Sequence, residues 1–200
     1  MNDLEKRGKK YYIICFFTVI LILPIFFGQY IENFYAQIIN TFTIFVYFLG
    51  IIVLFFIGGL IDVFGFNVKE LELIKDHDVI QALIKKENRL FILIMFIVTM
   101  IMEELIFRYY IISFLSSTLS LNLIFIILIS SVFFSLYHIH IWFKFQDLRI
   151  LGIFMTNSFL LGLFLGFTFL TFGFSLCLIT HSIVALIFYL NLYNKYFRTN

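Results

Sequence analysis

Residues 99–110 read TMIMEELIFRYY and set Glu103, Glu104 and Arg108 inside an otherwise apolar run. A charge near the centre of a bilayer costs roughly 2.5–3.5 kcal/mol on insertion scales, so three together need a reason. Two further stretches carry titratable groups at comparable positions. FFSLYHIH holds His138 and His140, and LITHSIVAL holds His181. One carboxylate with two imidazoles can do hydrolytic chemistry. The carboxylate takes a proton from water, one imidazole helps position that water, and the other meets the oxyanion that develops. The same donors could instead hold a divalent metal such as zinc, which lowers the pKa of bound water. EELIFR is not an HExxH zinc motif, so both mechanisms remain open at this point.

Helical geometry separates the two acids. At about 100° per residue, Glu104 and Arg108 fall about 40° apart on one face, in the favoured order for an ion pair. Glu103 points about 100° away from Glu104 and has to find its partner on another helix. Glu104 with Arg108 can be read as a purely structural pair. By the same wheel His140 lies about 200° from His138, so the two should not share a core, and His140 reads as a packing residue. Unpaired ionisable groups in lipid mark sites or proton paths by default, which favours function for Glu103, His138 and His181 taken together.

These groups need elements to hold them. Of the 200 residues, 62% are hydrophobic and 13% charged, against about a quarter charged in soluble domains. An integral membrane protein is expected: all-α, a polytopic helix bundle in a lipid bilayer, with no nucleic-acid partner. About six stretches are long enough to cross it, roughly 11–28, 38–61, 90–115, 121–143, 150–171 and 174–193. The first reads as a retained anchor helix rather than a signal peptide. Cys15 and Cys177 lie in apolar runs and read as small core or lipid-facing residues.

Thirteen of the fourteen Lys and Arg residues fall in the N-terminus, the 62–89 loop, the 144–149 loop or the C-terminal tail; the fourteenth is Arg108. The positive-inside rule places those segments, and both termini, in the cytoplasm. The 62–89 loop carries Val68, Leu71, Ile74, Val79, Leu83 and Lys86 in an approximate helical stripe, expected to lie in the membrane interface. His77, between Asp76 and Asp78, is expected to be solvated. With no repeat and no flexible linker, residues 1–200 read as one membrane domain.

The ordered motifs resemble the CPBP (CaaX protease and bacteriocin-processing, or Abi) family of intramembrane endopeptidases, which includes the Ras-converting type of CaaX protease. That pattern is EExxxR, then FxxxH, then HxxxN on successive helices. Here it reads Glu103-Glu104 to Arg108, Phe134 to His138, and His181 to Ala185, within a family-like core of about 90–192. The resemblance implies that Glu103 is the base, aided by His138, and that His181 serves the oxyanion. Glu104, Arg108 and Phe134 would organise the site. Glu103, His138 and His181 would be the ligands were a metal bound. Substrates would be membrane-associated peptides, prenylated CaaX tails among them. Ala185 stands where many members carry Asn, so an oxyanion donor has to come from Ser182, Asn157 or water. A catalytically inert member acting as a scaffold, regulator or immunity protein is the alternative. A proton-coupled transporter is a third reading, which would require internal symmetry and broken helices.

Overall fold

A computed structural model describes residues 3–35, 38–85, 88–119 and 121–199; among these, all regular structure is helical. Helix α1 is Asp3–Phe26 and α2 is Thr41–Gly65, with a 3-10 turn, Ile31–Phe34, between them. Two short helices follow, α3 (Val68–Ile74) and α4 (Asp78–Lys85). The third long rod is α5 (Arg89–Glu104), a π-helical segment Leu105–Ile112, and α6 (Ser113–Thr118). Helix α7 (Leu123–Tyr137) leads through a turn to α8 (His140–Phe145), and α9 covers Leu148–Thr199.

Five of these rods are long and apolar enough to cross a membrane. The last is two spans, because Gly173 interrupts α9 with φ 81° and ψ −177°. The turn expected near 172–173 is this residue. Glycine is required there twice over. A side chain would sit at positive φ, and its Cβ would come within 2.6 Å of the Tyr35 carbonyl carbon and 2.8 Å of the Phe34 oxygen. Phe34, Tyr35 and Ile38 lie against that break, where the Ile38 N–H donates to the Thr171 carbonyl at 3.0 Å. Gly173→Ala is expected to lower stability by about 1–3 kcal/mol, read as a fall in Tm in detergent.

Why the spans pack as they do follows from small residues and caps. Asn40 caps α2, accepting the Thr43 N–H at 2.8 Å, and Asn122 caps α7, accepting the Ile124 N–H at 2.9 Å. Helices α7 and α9 approach closely because Gly162 and Gly166 face Ser131 and Ile127; an added Cβ would lie 3.0 Å and 2.8 Å from those side chains. Much of α1 and α2 presents Phe and Ile outward, among them Phe17, Phe45 and Phe56, as expected of surfaces facing lipid.

The π-helical segment is held from three sides. The Ser130 hydroxyl donates to the Phe107 carbonyl at 2.7 Å, and Tyr109 donates to the Gln29 carbonyl at 2.6 Å. Tyr110 donates to the Leu21 carbonyl. A wider helical turn leaves carbonyls out of register, and the Ser130 contact occupies one of them.

The 62–89 segment differs from expectation. It is two helices rather than one, and its stripe faces protein rather than the membrane interface. Leu71 and Ile74 pack with Ile150 and Leu192, while Val79 and Leu83 pack with Ile92 and Phe96. Val68 is exposed, and Lys86 lies outside the described residues. His77 is not solvated either. It stacks on Tyr189 at 4.7 Å between ring centres, with its Nε2 3.2 Å from the Tyr189 hydroxyl. Burial and the Lys144 ammonium push it down to about 3, so it is neutral at physiological pH. Because Nδ1 accepts the Val79 N–H at 3.4 Å, Nε2 carries the proton and donates to Tyr189.

Beside it, Asp78 ties three elements together. Its carboxylate meets Lys10 of α1 at 2.7 Å and Lys144 of α8 at 3.5 Å. Lys69 with Asp147 at 3.1 Å, and Arg149 with Glu70 at 3.9 Å, lie in the same layer, so the basic segments share one end of the bundle. Burial pushes the Asp78 carboxyl up, but the hydrogen bond and charge of Lys10, with Lys144, outweigh it and hold the group well below its ordinary 3.8. The folded value lies below the unfolded one, so the clamp is fully stabilising above about pH 4 and is lost as pH falls toward the folded value. Asp78→Asn is expected to cost about 1–2 kcal/mol at pH 7, an estimate reduced because Lys10 is half exposed. In urea unfolding followed over pH, the gap between variant and parent should shrink below about pH 4.

Candidate active site

Glu103 and Glu104 end α5, and the helix beyond them widens into the π segment that carries Arg108. Glu104 and Arg108 are both fully buried and meet at 3.2 Å, the i,i+4 pair expected from the sequence. Arg108 also lies over the Phe134 ring at 4.1 Å. Its N–H groups make no well-aligned hydrogen bond among the described residues, so charge and the aromatic face hold it.

Glu104 has further partners from α9. His181 approaches its Oε1 through Nδ1 at 2.7 Å, and the Cys177 thiol donates to Oε2 at 3.0 Å. A carboxylate ion-paired with Arg108 is an acceptor, so His181 Nδ1 carries the hydrogen. That leaves His181 Nε2 facing Glu103, whose Oε2 is 3.8 Å away. Glu103 therefore finds its partner on another helix, as its angular position requires. His181, however, is held first by Glu104, a contact that helical spacing alone does not reveal.

His138 is the residue just past α7. Its Nδ1 donates to the Phe134 carbonyl at 2.9 Å, so Nε2 presents a lone pair. Phe134 is buried between the two histidines, with its ring edge-on to His138 at 5.1 Å and to His181 at 5.5 Å. The reading of His140 is corrected. Helix α7 ends at Tyr137, so the helical wheel does not extend to residue 140, and the His138 and His140 rings are 5.8 Å apart.

Glu103, His138, His140 and His181 all line one cavity of about 540 Å³. Its walls are chiefly apolar, with Phe55, Phe96, Phe154 and Phe188 among them, and Tyr137, Tyr189 and Asn157 add polar edges. Ala185 lies on the wall, and Ser182 does not border it. Among the described residues, no group of three or more His, Cys, Asp or Glu side chains is placed to hold a metal ion; Glu103 and His181 supply two donors.

The family model for Rce1-like type II CAAX prenyl endopeptidases matches residues 85–187, over half of the chain. The chain belongs to the Rce1-like family. Its members are CAAX-type proteases, and with its apolar spans this relative is an integral membrane protein. The match takes in EExxxR, FxxxH and His181, and so contains the whole cluster described above. No curated protein and no solved structure matches the chain.

Sequence reasoning missed three features of the site. Cys177 reads as a bland core residue, yet its thiol occupies Glu104. Its offset of four from His181 was the available signal, since that spacing puts both on one helix face. The π-helical segment and the His77–Tyr189 stack left no comparable signal.

Proposed function

We propose that this chain is an intramembrane endopeptidase that hydrolyses a peptide bond near the cytoplasmic face through a water activated by Glu103. The observation that carries the reading is a division of labour between the acids. Glu104 is engaged by Arg108, His181 and Cys177, whereas Glu103 makes no hydrogen bond among the described residues and faces the cavity beside His181 Nε2. The step requires one proton on the Glu103–His181 pair, carried by His181 Nε2, so that Glu103 is free to act as the base.

The step follows from those positions. Glu103 takes a proton from water while His138 Nε2 accepts the water's other hydrogen and orients it. The oxygen bonds to the substrate carbonyl carbon, and His181 Nε2–H donates to the resulting oxyanion. As the C–N bond breaks, Glu103 returns its proton to the leaving amine. Glu104 fixes the His181 ring through Nδ1, and Arg108 and Phe134 hold Glu104 and both rings in place. The apolar walls suit a membrane-associated peptide, a prenylated CaaX tail among the candidates. The basic end of the bundle, with both termini, faces the cytoplasm. The chain acts as one membrane domain with its catalytic core at about 90–192.

A divalent metal on Glu103, His138 and His181 would supply a Lewis acid, but among the described residues no three such donors are grouped to hold one. Turnover in a chelator is therefore expected to equal turnover without it. The measurement is cleavage, by the purified protein in detergent, of a panel of prenylated and unprenylated peptides, with and without EDTA. Complete loss in EDTA, restored by zinc, would replace the metal-free step. The second reading, an inert member acting as scaffold, regulator or immunity protein, draws on Ala185, which brings no donor to the wall. Absence of cleavage across the panel would favour it.

A further inference from the structure

Outside the Glu104–Arg108 cluster, two buried polar side-chain atoms lack a hydrogen-bond partner among the described residues: Asp62 Oδ1 and Asn157 Nδ2. Both residues border the cavity that holds Glu103. They lie on facing helices. A Cβ on Gly58 would lie 3.9 Å from Asn157 Oδ1, and Asp62 is one turn further along the same face of α2. Gly58 and Gly59 leave that part of the wall bare. The polar strip continues through Asn191 to a shallower depression of about 420 Å³ between α2 and the end of α9.

The chemistry of the two atoms defines what fits. One is an acceptor and the other a donor, both buried, and each is costly to leave unmet. The nearby charge is compensated, because the Lys195 ammonium sits at the end of α2, donating to the Asp62 carbonyl at 2.6 Å and the Phe66 carbonyl at 2.9 Å. A neutral group offering one donor and one acceptor meets both needs, and a peptide amide is that group. We infer that Asp62 and Asn157 form a binding subsite for one backbone amide of the substrate, N–H to Asp62 and C=O to Asn157. The inference rests on the peptide-hydrolase reading and extends it, since it says where the chain flanking the scissile bond lies: along α2, toward the end of α9. In this assignment the flanking amide, rather than the oxyanion that His181 serves, takes the Asn157 side chain, so both residues act as positioning residues.

The test reads binding rather than turnover. Full-length protein carrying Glu103→Gln is titrated in detergent with a fluorescein-labelled farnesylated CaaX peptide. In a series of analogues, each backbone amide in turn is replaced by an ester, which removes one N–H. The expected result is a single position at which the ester weakens binding about tenfold. That difference should vanish on adding Asp62→Leu and persist with Asp62→Asn, whose side chain still offers an oxygen. Asn157→Leu should weaken the all-amide peptide by a similar factor, and a retained Tm for each variant separates a lost contact from a lost fold. A flat ester scan, an ester effect unchanged by Asp62→Leu, or no binding at all would overturn the subsite. An arginine-containing peptide that binds more tightly through Asp62 alone would overturn it in favour of a cation site. Glu103-dependent cleavage with a flat scan would leave the protease reading standing without the subsite; a position-specific ester effect with no cleavage would do the reverse.

Discussion

Glu103→Gln is expected to lower kcat on a cleaved peptide by roughly 10²–10⁴-fold, the usual weight of a general base. The substitution keeps the shape of the side chain and removes only its ability to take the proton of water. Glu103 is a good position for such a test, because it makes no hydrogen bond that the fold relies on; its contact is His181 Nε2 at 3.8 Å. Glu104, Arg108 and Cys177 stay joined without it. Tm should therefore stay within a degree or two while turnover collapses, and KM should change little. Both are measurable on one preparation. Undiminished turnover in the variant would remove Glu103 from the chemistry, and with it the reading of the acids as base and organiser.

The second large effect falls on stability. Arg108→Ala should destabilise the protein by about 3–5 kcal/mol, because it leaves Glu104 as a buried carboxylate without its cation. The loss has a second component, since the guanidinium also covers the Phe134 ring at 4.1 Å. Pairing Arg108→Met with Glu104→Gln removes both charges together, and the double variant should be markedly more stable than Arg108→Ala alone. Thermal unfolding in one detergent measures the parent, Arg108→Ala, the single substitutions Arg108→Met and Glu104→Gln, and the double variant. Activity separates the roles, because the double variant no longer anchors His181 Nδ1 by charge and is expected to be slow even where it is well folded. Additive losses in the double variant would mean that the pair is not coupled.

How much of this the sequence contained depends on the range of the interaction. Glu104 and Arg108 were legible because an i,i+4 pair is set by helical geometry alone. The spans were legible because lipid demands long apolar helices, and the break near 172–173 because the last apolar stretch is too long for one crossing. His140 was misread for a local reason: the wheel was carried past Tyr137, where α7 ends. The 62–89 stripe was correctly apolar but assigned to the wrong neighbour, since amphipathicity does not say whether lipid or protein covers the face. The Cys177 thiol on Glu104 joins residues 73 positions apart in the chain, and Gly58 of α2 faces Asn157 of α9 from further away still; no spacing rule reaches that far.

Phe134 has a mechanical consequence. One ring touches the guanidinium of the third rod and both imidazoles, one at the end of α7 and one on α9. Sliding any of these three supports would shear it off the other two, so they behave as a single stiff block. The wall that lacks this keystone is α2, which offers the chamber Phe55 and two glycines and turns most of its surface outward, so the room a bulky guest needs is bounded on that side by the least encumbered helix.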